Sequence, residues 1–335
     1  MEKYSQFRDR GSGIAPFFPI QNEPSGIYWS FHLFLFLVRL PILLTVTLGY
    51  FFVLQWLPIG SLGKKASLWL MLGVPGVWWI DLQIDGVKKG SLAKHHKARL
   101  PQPGSVIASS HTSPIDSLYL AAIFDPVFTI SYPSTRLVQP VSLFHSILHA
   151  FQYPQYDPPP KATLTDLATL IRQHPHQAIV VFPECTTTNG RAILPFSNSL
   201  LTCPPGVKIF PINLRYTAAD VTTPIPGTYI RFLWNLLSKP THCIRVRIAE
   251  SVYNTSQPSA SSSSSSPGSL VNEDRTSSSD TLLGSEEVEG VTAGEKGVLN
   301  KVADALARLG RVKRVGLGVR DKEGFVKAWS KQRRG

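Results

Sequence analysis

Apolar and polar positions follow different rules in successive parts of the chain. From Leu40 to Leu57 (LPILLTVTLGYFFVLQWL) eighteen residues pass without a charge, preceded by the equally uncharged Trp29–Val38, with Arg39 between them. That length can cross a bilayer as a helix, which takes about 20 apolar residues. The run starts far from Met1 and lacks a small-residue cleavage site, so it reads as an anchor and not as a cleaved signal peptide. A second stretch, Ser67–Ile80 (SLWLMLGVPGVWWI), has only fourteen residues, holds Pro75 and is rich in tryptophan, which favours the headgroup level. Together they predict a membrane-embedded hairpin, or a span followed by an interfacial helix. The competing reading is two buried core helices of a soluble protein.

Further along, short apolar runs alternate with helical patterns. Ser105–Ser109, Val127–Ser131, Ala178–Phe182 and Ile209–Leu214 have the length and content of buried strands. His242–Ile248 (HCIRVRI) alternates apolar with polar and predicts an edge strand. Helices fit Ile115–Ile123, Leu143–Phe151, Leu164–Gln173 and Tyr229–Leu237, with two more near Val298–Leu309 and Phe325–Lys331. Strands alternating with helices predict an α/β domain, a mixed sheet layered with helices, preceded by the N-terminal membrane-embedded helical segment.

Charge changes this picture by region. The chain is only 17% charged, against roughly 25% in an ordinary soluble domain. Its net charge is nonetheless +12. Residues 254–290 contain a serine run and six acids against one base, so the remainder carries +17. That stretch reads as a disordered acidic insert, a passive linker or a phosphorylation-controlled tether. Residues 291–335 hold twelve bases and four acids. A basic surplus either attracts an anionic partner (nucleic acid, acidic headgroups or phosphorylated substrates) or only solubilises the surface. No aromatic-basic recognition module is present, which ranks nucleic acid last. The three cysteines form no disulfide framework and fit reduced thiols facing the cytosol.

Two strand ends carry candidate chemistry. After Ser105–Ser109 comes Ser110-His111-Thr112-Ser113-Pro114-Ile115-Asp116. An imidazole with a carboxylate to hold its second nitrogen makes a base that takes a proton from a hydroxyl near neutral pH. Ser113 as N-cap, Pro114 in the first turn and Asp116 at the third position also make a good helix start, and both readings stand together. After Ala178–Phe182 comes Pro183-Glu184-Cys185-Thr186-Thr187-Thr188-Asn189-Gly190-Arg191, a hydroxyl-rich loop suited to phosphate, or simply a polar turn.

HxxxxD followed by FPExT, then an apolar strand with Pro211, resembles the glycerolipid acyltransferases of the lysophosphatidic acid acyltransferase type. FRDRGSGIAPFFP (Phe7–Pro19), FPECTTTNGR and ARLGRVKRVGLG (Ala307–Gly318) resemble the fungal lysophosphatidate:oleoyl-CoA branch. The resemblance implies that His111 is the general base for attack of a lysophospholipid hydroxyl on acyl-CoA, with Asp116 orienting it. It implies that Glu184 and Thr186 seat the acceptor's glycerol phosphate and that Pro211 borders the acyl-CoA site. Arg191 fits a phosphate ligand on charge grounds, and Arg136 is the best candidate for a third family motif.

On this reading acyl-CoA is a co-substrate, and neither cofactor nor metal is expected. The partners are the two substrates and the anionic headgroups of a bilayer or droplet monolayer, at the endoplasmic reticulum or the lipid droplet. Other headgroups, or a non-catalytic lipid-binding role on the same fold, are the alternatives. Cys185 stands where the family has glycine, which removes a residue able to take positive φ and permits a rival acyl-enzyme mechanism. The chain then divides into a cytosolic segment (1–28), membrane-anchoring helices (29–82), a catalytic domain (83–253), the insert (254–290) and a basic helical region completing the domain (291–335).

Overall fold

A computed structural model of the protein describes residues 2–20, 26, 28–54, 61–87, 99–256 and 292–334. The first long helix, α1 (Trp29–Leu48), continues through a π-helical turn to Leu54. This 26-residue unit has a mean hydropathy of 2.1 in its most apolar window, none of which is buried against the protein. At 1.5 Å per residue it is about 39 Å long, enough for a hydrocarbon core of about 30 Å. Its one guanidinium, Arg39, donates to the carbonyls of Pro75, Leu237 and Pro240 at 3.3, 3.4 and 3.0 Å. The charge on an apolar helix is thereby absorbed by backbone oxygens of the following domain.

Helix α2 (Ser61–Gly73) ends in a turn through Pro75-Gly76. Gly76 has φ +86°, and a Cβ there would sit 2.4 Å from the Pro240 carbonyl oxygen, so no larger residue fits. The chain then enters β1 (Val77–Ile84). This corrects the expected anchor of residues 29–82: Val77–Ile80, the end of the second apolar stretch, belong to the sheet. Val77 is buried, Trp78 and Trp79 are both exposed and the register shifts between Val77 and Trp79, so no clean alternation marks the strand in the sequence.

The other elements are β2 (Val106–Ser109), α3 (Pro114–Phe124), β3 (Val127–Ser131), β4 (Val138–Val141), α4 (Leu143–His149), α5 (Leu167–Gln173), β5 (Ile179–Val181) and β6 (Ala192–Ile193). They continue with β7 (Lys208–Thr217), α6 (Tyr229–Leu237), β8 (His242–Ile248), β9 (Val252–Tyr253), α7 (Ala293–Gly310), β10 (Lys313–Arg314) and α8 (Val319–Arg334). The main sheet runs β1-β8-β7-β2-β5-β3-β4, with β9 beside the start of β7, while β10 pairs with β6 separately. Strands β7, β2, β5 and β3 are parallel, β8 runs against β7 but parallel to β1, and β4 runs against β3, so the sheet is mixed. Strand β8 lies inside the sheet and β1 forms the edge, which overturns the edge placement expected for His242–Ile248. Its polar alternation arises because the sheet face carrying Arg245 and Arg247 is only partly covered, leaving those residues half-buried.

Successive residues of the central strands serve opposite cores. Ile107, Val180 and Phe210 meet α2, α3 and α6, while Val106, Ile179 and Ile209 meet α5 and α7. Burial on both faces explains why these strands read as unbroken apolar runs. Pro211 sits inside β7, where an N–H is normally needed. It falls between the pairing of β9 with Lys208–Ile209 and that of β8 from Ile212 onward, so no ladder bond is lost on that side.

The two ends of the chain meet. Phe7, Phe17 and Phe325 form a core joined by Tyr4, Phe18 and Trp329, and Asp9 accepts from the Gly316 N–H at 3.2 Å. Most of the acidic insert lies outside the described residues. Asn254, grouped with it by composition, is buried and donates to the Leu201 and Cys203 carbonyls at 3.1 and 2.7 Å, so the folded domain extends past the expected boundary at 253.

Candidate active site

The candidate site lies at the carboxyl ends of β2 and β5, where parallel strands leave room for reactive loops. Strand β2 passes through Ser110-His111-Thr112 to Ser113, the N-cap of α3. Asp116 closes a capping box: its Oδ2 accepts from the N–H groups of Thr112 and Ser113 at 2.7 and 2.9 Å and from the Thr112 hydroxyl at 3.2 Å. The Tyr216 hydroxyl donates to Oδ1. Burial raises the Asp116 pKa to about 6 despite these four donors.

His111 is 1% exposed, stacked on Phe182 with centroids 4.4 Å apart and parallel to His149 at 5.8 Å. Neither ring nitrogen has a hydrogen-bond partner. The expected bond from Asp116 to the imidazole is therefore absent. A carboxylate on the first turn of α3 points back to its own cap, and Tyr216 takes the oxygen left over. Asp116 thus holds the backbone that carries His111 and does not touch the ring. Burial, then the charges of His149 and Lys322, push the His111 pKa well below the usual imidazole value, so the ring is neutral at neutral pH.

The second loop is laced to the first. The Thr188 N–H donates to the His111 carbonyl at 3.0 Å, and the Thr223 N–H donates to that of Thr112 at 2.9 Å. Glu184 is buried, accepts from the Leu194 N–H at 3.1 Å and from the His111 backbone N–H, and leaves Oε1 without a partner. Burial raises its pKa to about 8, against lowering by those two N–H groups, so at neutral pH the carboxyl is mostly protonated. Cys185 has φ +58°, the left-handed conformation a glycine would take without strain. Its thiol is buried and its pKa is pushed up to about 12, so little thiolate exists near neutral pH.

Other predicted residues separate. Thr186 is in the loop, its hydroxyl accepting from Lys322 Nζ at 2.9 Å. Pro211 is buried in β7, next to Ala108 of β2. Arg191 is exposed beyond Gly190. Arg136 does not join the two loops: it makes a 2.7 Å ion pair with Glu295 in the first turn of α7.

Sequence reasoning missed Lys322, Tyr216, His149 and Asn189. Lys322, from α8, is 0% exposed and donates to the Thr186 hydroxyl, the Thr187 carbonyl and the Thr187 hydroxyl at 2.9, 2.6 and 2.9 Å. Asn189 donates to the carbonyls of Ala15 and Phe18 at 2.8 and 2.9 Å, strapping the N-terminal segment over the loop. The pairing of FRDRGSGIAPFFP with the RVGLG tail was the available signal, since both segments pack on this loop. Nothing in the local pattern around Lys322 marks it as buried. Among the described residues no three His, Cys, Asp or Glu side chains are grouped to hold a metal ion.

Residues 91–215 match the model of the Acyltransferase family, a span that includes both loops. A Schizosaccharomyces pombe protein provisionally named lysophosphatidic acid:oleoyl-CoA acyltransferase is 28% identical over 258 residues, covering 74% of this chain and 84% of that protein. Lysophosphatidic acid:oleoyl-CoA acyltransferase 1 of Saccharomyces cerevisiae is 28% identical over 201 residues, covering 59% of this chain and 61% of that protein.

Proposed function

We propose that this chain, which carries a domain of the Acyltransferase family, transfers the acyl group of an acyl-CoA to the free hydroxyl of a lysophospholipid. Lysophosphatidic acid is the leading acceptor and phosphatidic acid the product. The observation that carries the reading is the His111 imidazole: neutral, stacked on Phe182 and parallel to His149, with both nitrogens unpartnered in a loop fixed from either side. Such a group is a base waiting for a hydroxyl.

The acceptor oxygen gives its proton to His111 as it attacks the thioester carbonyl, forming the new C–O bond. The tetrahedral intermediate collapses, the C–S bond breaks and the CoA sulfur leaves, taking that proton from the imidazolium. Asp116 positions His111 through the peptide groups of Thr112 and Ser113. A protonated Glu184 suits a phosphorylated acceptor, because a carboxylate there would repel the phosphate, and its unpartnered Oε1 is available to the glycerol backbone. Thr186 keeps the loop in place through Lys322. Arg191 is an outer phosphate contact and Pro211 part of the acyl-CoA boundary. Cys185 only packs, since a direct transfer needs no nucleophile and its thiol stays protonated.

Residues Trp29–Leu54 anchor the enzyme in the endoplasmic reticulum or at the lipid droplet, with the three free thiols on the cytosolic side. The test is the full chain in detergent with a panel of lysophospholipids and acyl-CoAs, reading CoA release. Turnover with lysophosphatidate above the choline and ethanolamine lysolipids supports the reading. A chain that releases no CoA with any pair points to a lipid-binding role on the same fold.

A further inference from the structure

The partly covered face of the sheet next to the cleft is crowded with guanidinium groups. In the antiparallel register Arg215 of β7 lies directly opposite Arg245 of β8, and Asn213 lies opposite Arg247. On the far side of β8, Asp81 faces Arg245 and Gln83 faces Arg247. Directly opposed residues share a face, with Cβ atoms about 4.5–5.5 Å apart, and like charges so placed repel. Helix α7 ends against this face: the Leu309 and Gly310 carbonyls accept from Arg247 and Arg215 at 2.6 and 3.2 Å. Its C-cap is a fourth arginine, Arg311, held at φ 51°.

The neighbouring groups do not balance this charge. Asp81 pairs with Arg245 at 3.2 Å, and among the described residues no acid bridges Arg215, Arg247 or Arg311. The end of α7 supplies about −0.5 of a charge. Four arginines against one aspartate and that dipole leave more than two positive charges in one place. The Arg247 Nε is buried without a partner. Burial, followed by Arg311 and Arg245, lowers the Arg247 pKa, as expected of cations pressed together. The patch also leads somewhere: Arg215 lines one cleft with Asn213, Ser110, Thr112, Glu184 and Thr188. At the other end of the same face stands Trp79, 68% exposed on the edge strand.

We propose that Arg215, Arg245, Arg247 and Arg311 form a binding site for the phosphate monoester of a substrate whose reacting end lies in the Ser110–Glu184 cleft. Planar guanidinium groups bind two phosphate oxygens at once, and four arginines without a lysine match a doubly charged anion. Two substrates of the proposed reaction carry such a group, the acceptor lysophosphatidate and the 3′-phosphate of CoA. The inference rests on the acyl-transfer reading for its ligands and on the sheet geometry for its site.

Calorimetric titration of the detergent-solubilised full chain with a short-chain lysophosphatidate and with 3′,5′-adenosine bisphosphate tests it. The variant is Arg245→Gln with Arg311→Gly. Neither side chain donates to the end of α7, and glycine keeps the Arg311 backbone N–H that caps the helix and suits the left-handed position. Unchanged melting temperature verifies the fold. The wild type is expected to bind at least one ligand, and the double variant to bind it at least tenfold more weakly. The ligand that loses affinity identifies which phosphate is held. Affinities of the double variant equal to the wild type for both ligands, or no binding of either by the wild type, would overturn the site. CoA release judges the enzymatic reading separately: a wild type that binds phosphate but releases no CoA sinks that reading and leaves the site standing.

Discussion

Replacing Lys322 with methionine isolates one buried titrating group. Its Nζ is fully enclosed by α8 and the loop after β5, with three hydrogen bonds to Thr186 and Thr187. Burial lowers its pKa from 10.5 to about 7, with Glu184 pulling the other way. Between those values the unfolded chain holds a proton that the folded chain has released, so stability rises with pH, by at most about 1.4 kcal/mol per unit. Glu184 acts oppositely: its pKa rises from 4.5 to about 8, so across that range the folded chain keeps a proton that the unfolded chain has released, and stability falls as pH rises. Cys185 and Cys203, raised from 9 to about 12, begin to oppose Lys322 above their unfolded value.

The window that reports Lys322 is therefore about pH 8 to about pH 9, where the wild type should gain about 1 kcal/mol relative to Lys322→Met. Urea unfolding followed by tryptophan emission at the two pH values measures it. The change between them is the readout, because methionine also gives up three hydrogen bonds at every pH. Parallel pH dependence in the two proteins would refute the buried, largely neutral Lys322.

Other outcomes follow from the same geometry. Cys185→Gly relaxes a left-handed backbone that Cys185→Ala keeps, so the glycine variant should be more stable than alanine by about 0.5–1 kcal/mol in the same unfolding assay. Both should still release CoA, and a thioester trapped on Cys185 would contradict direct transfer. Tyr216→Phe leaves Asp116 Oδ1 without a donor and should cost about 1–3 kcal/mol. Its Asp116 should titrate above about 6, so stability falls as pH rises toward that value and over a wider range than in the wild type. Arg39→Leu makes α1 more apolar but abandons the carbonyls at the end of α6. It should lower the melting temperature without weakening membrane extraction resistance.

The strand–helix alternation was legible because the central strands are apolar on both faces, and Val127–Ser131 and Tyr229–Leu237 formed as their patterns predicted. The edge strand was hidden because Trp78 and Trp79, exposed at 69% and 68%, extend an apolar run across the join between helix and strand. At the site, local motifs placed His111, Asp116 and Glu184 beside the cleft, and the cap reading of Asp116 proved the physical one. Lys322 and Tyr216 reach the site only through long-range packing, from 136 and 100 residues away from their partners, and no periodicity encodes that. Arg136 shows the converse: a charge near a motif in sequence was claimed by Glu295 of a distant helix.

The central claim is that an unpartnered, neutral His111 takes the acceptor's proton. CoA release from oleoyl-CoA and lysophosphatidate by the detergent-solubilised full chain, wild type against His111→Ala, tests it most directly. A positioned general base contributes about 10²–10⁴-fold, so the variant should lose at least two orders of magnitude in turnover while keeping its melting temperature. Undiminished CoA release by a folded His111→Ala protein would contradict the account.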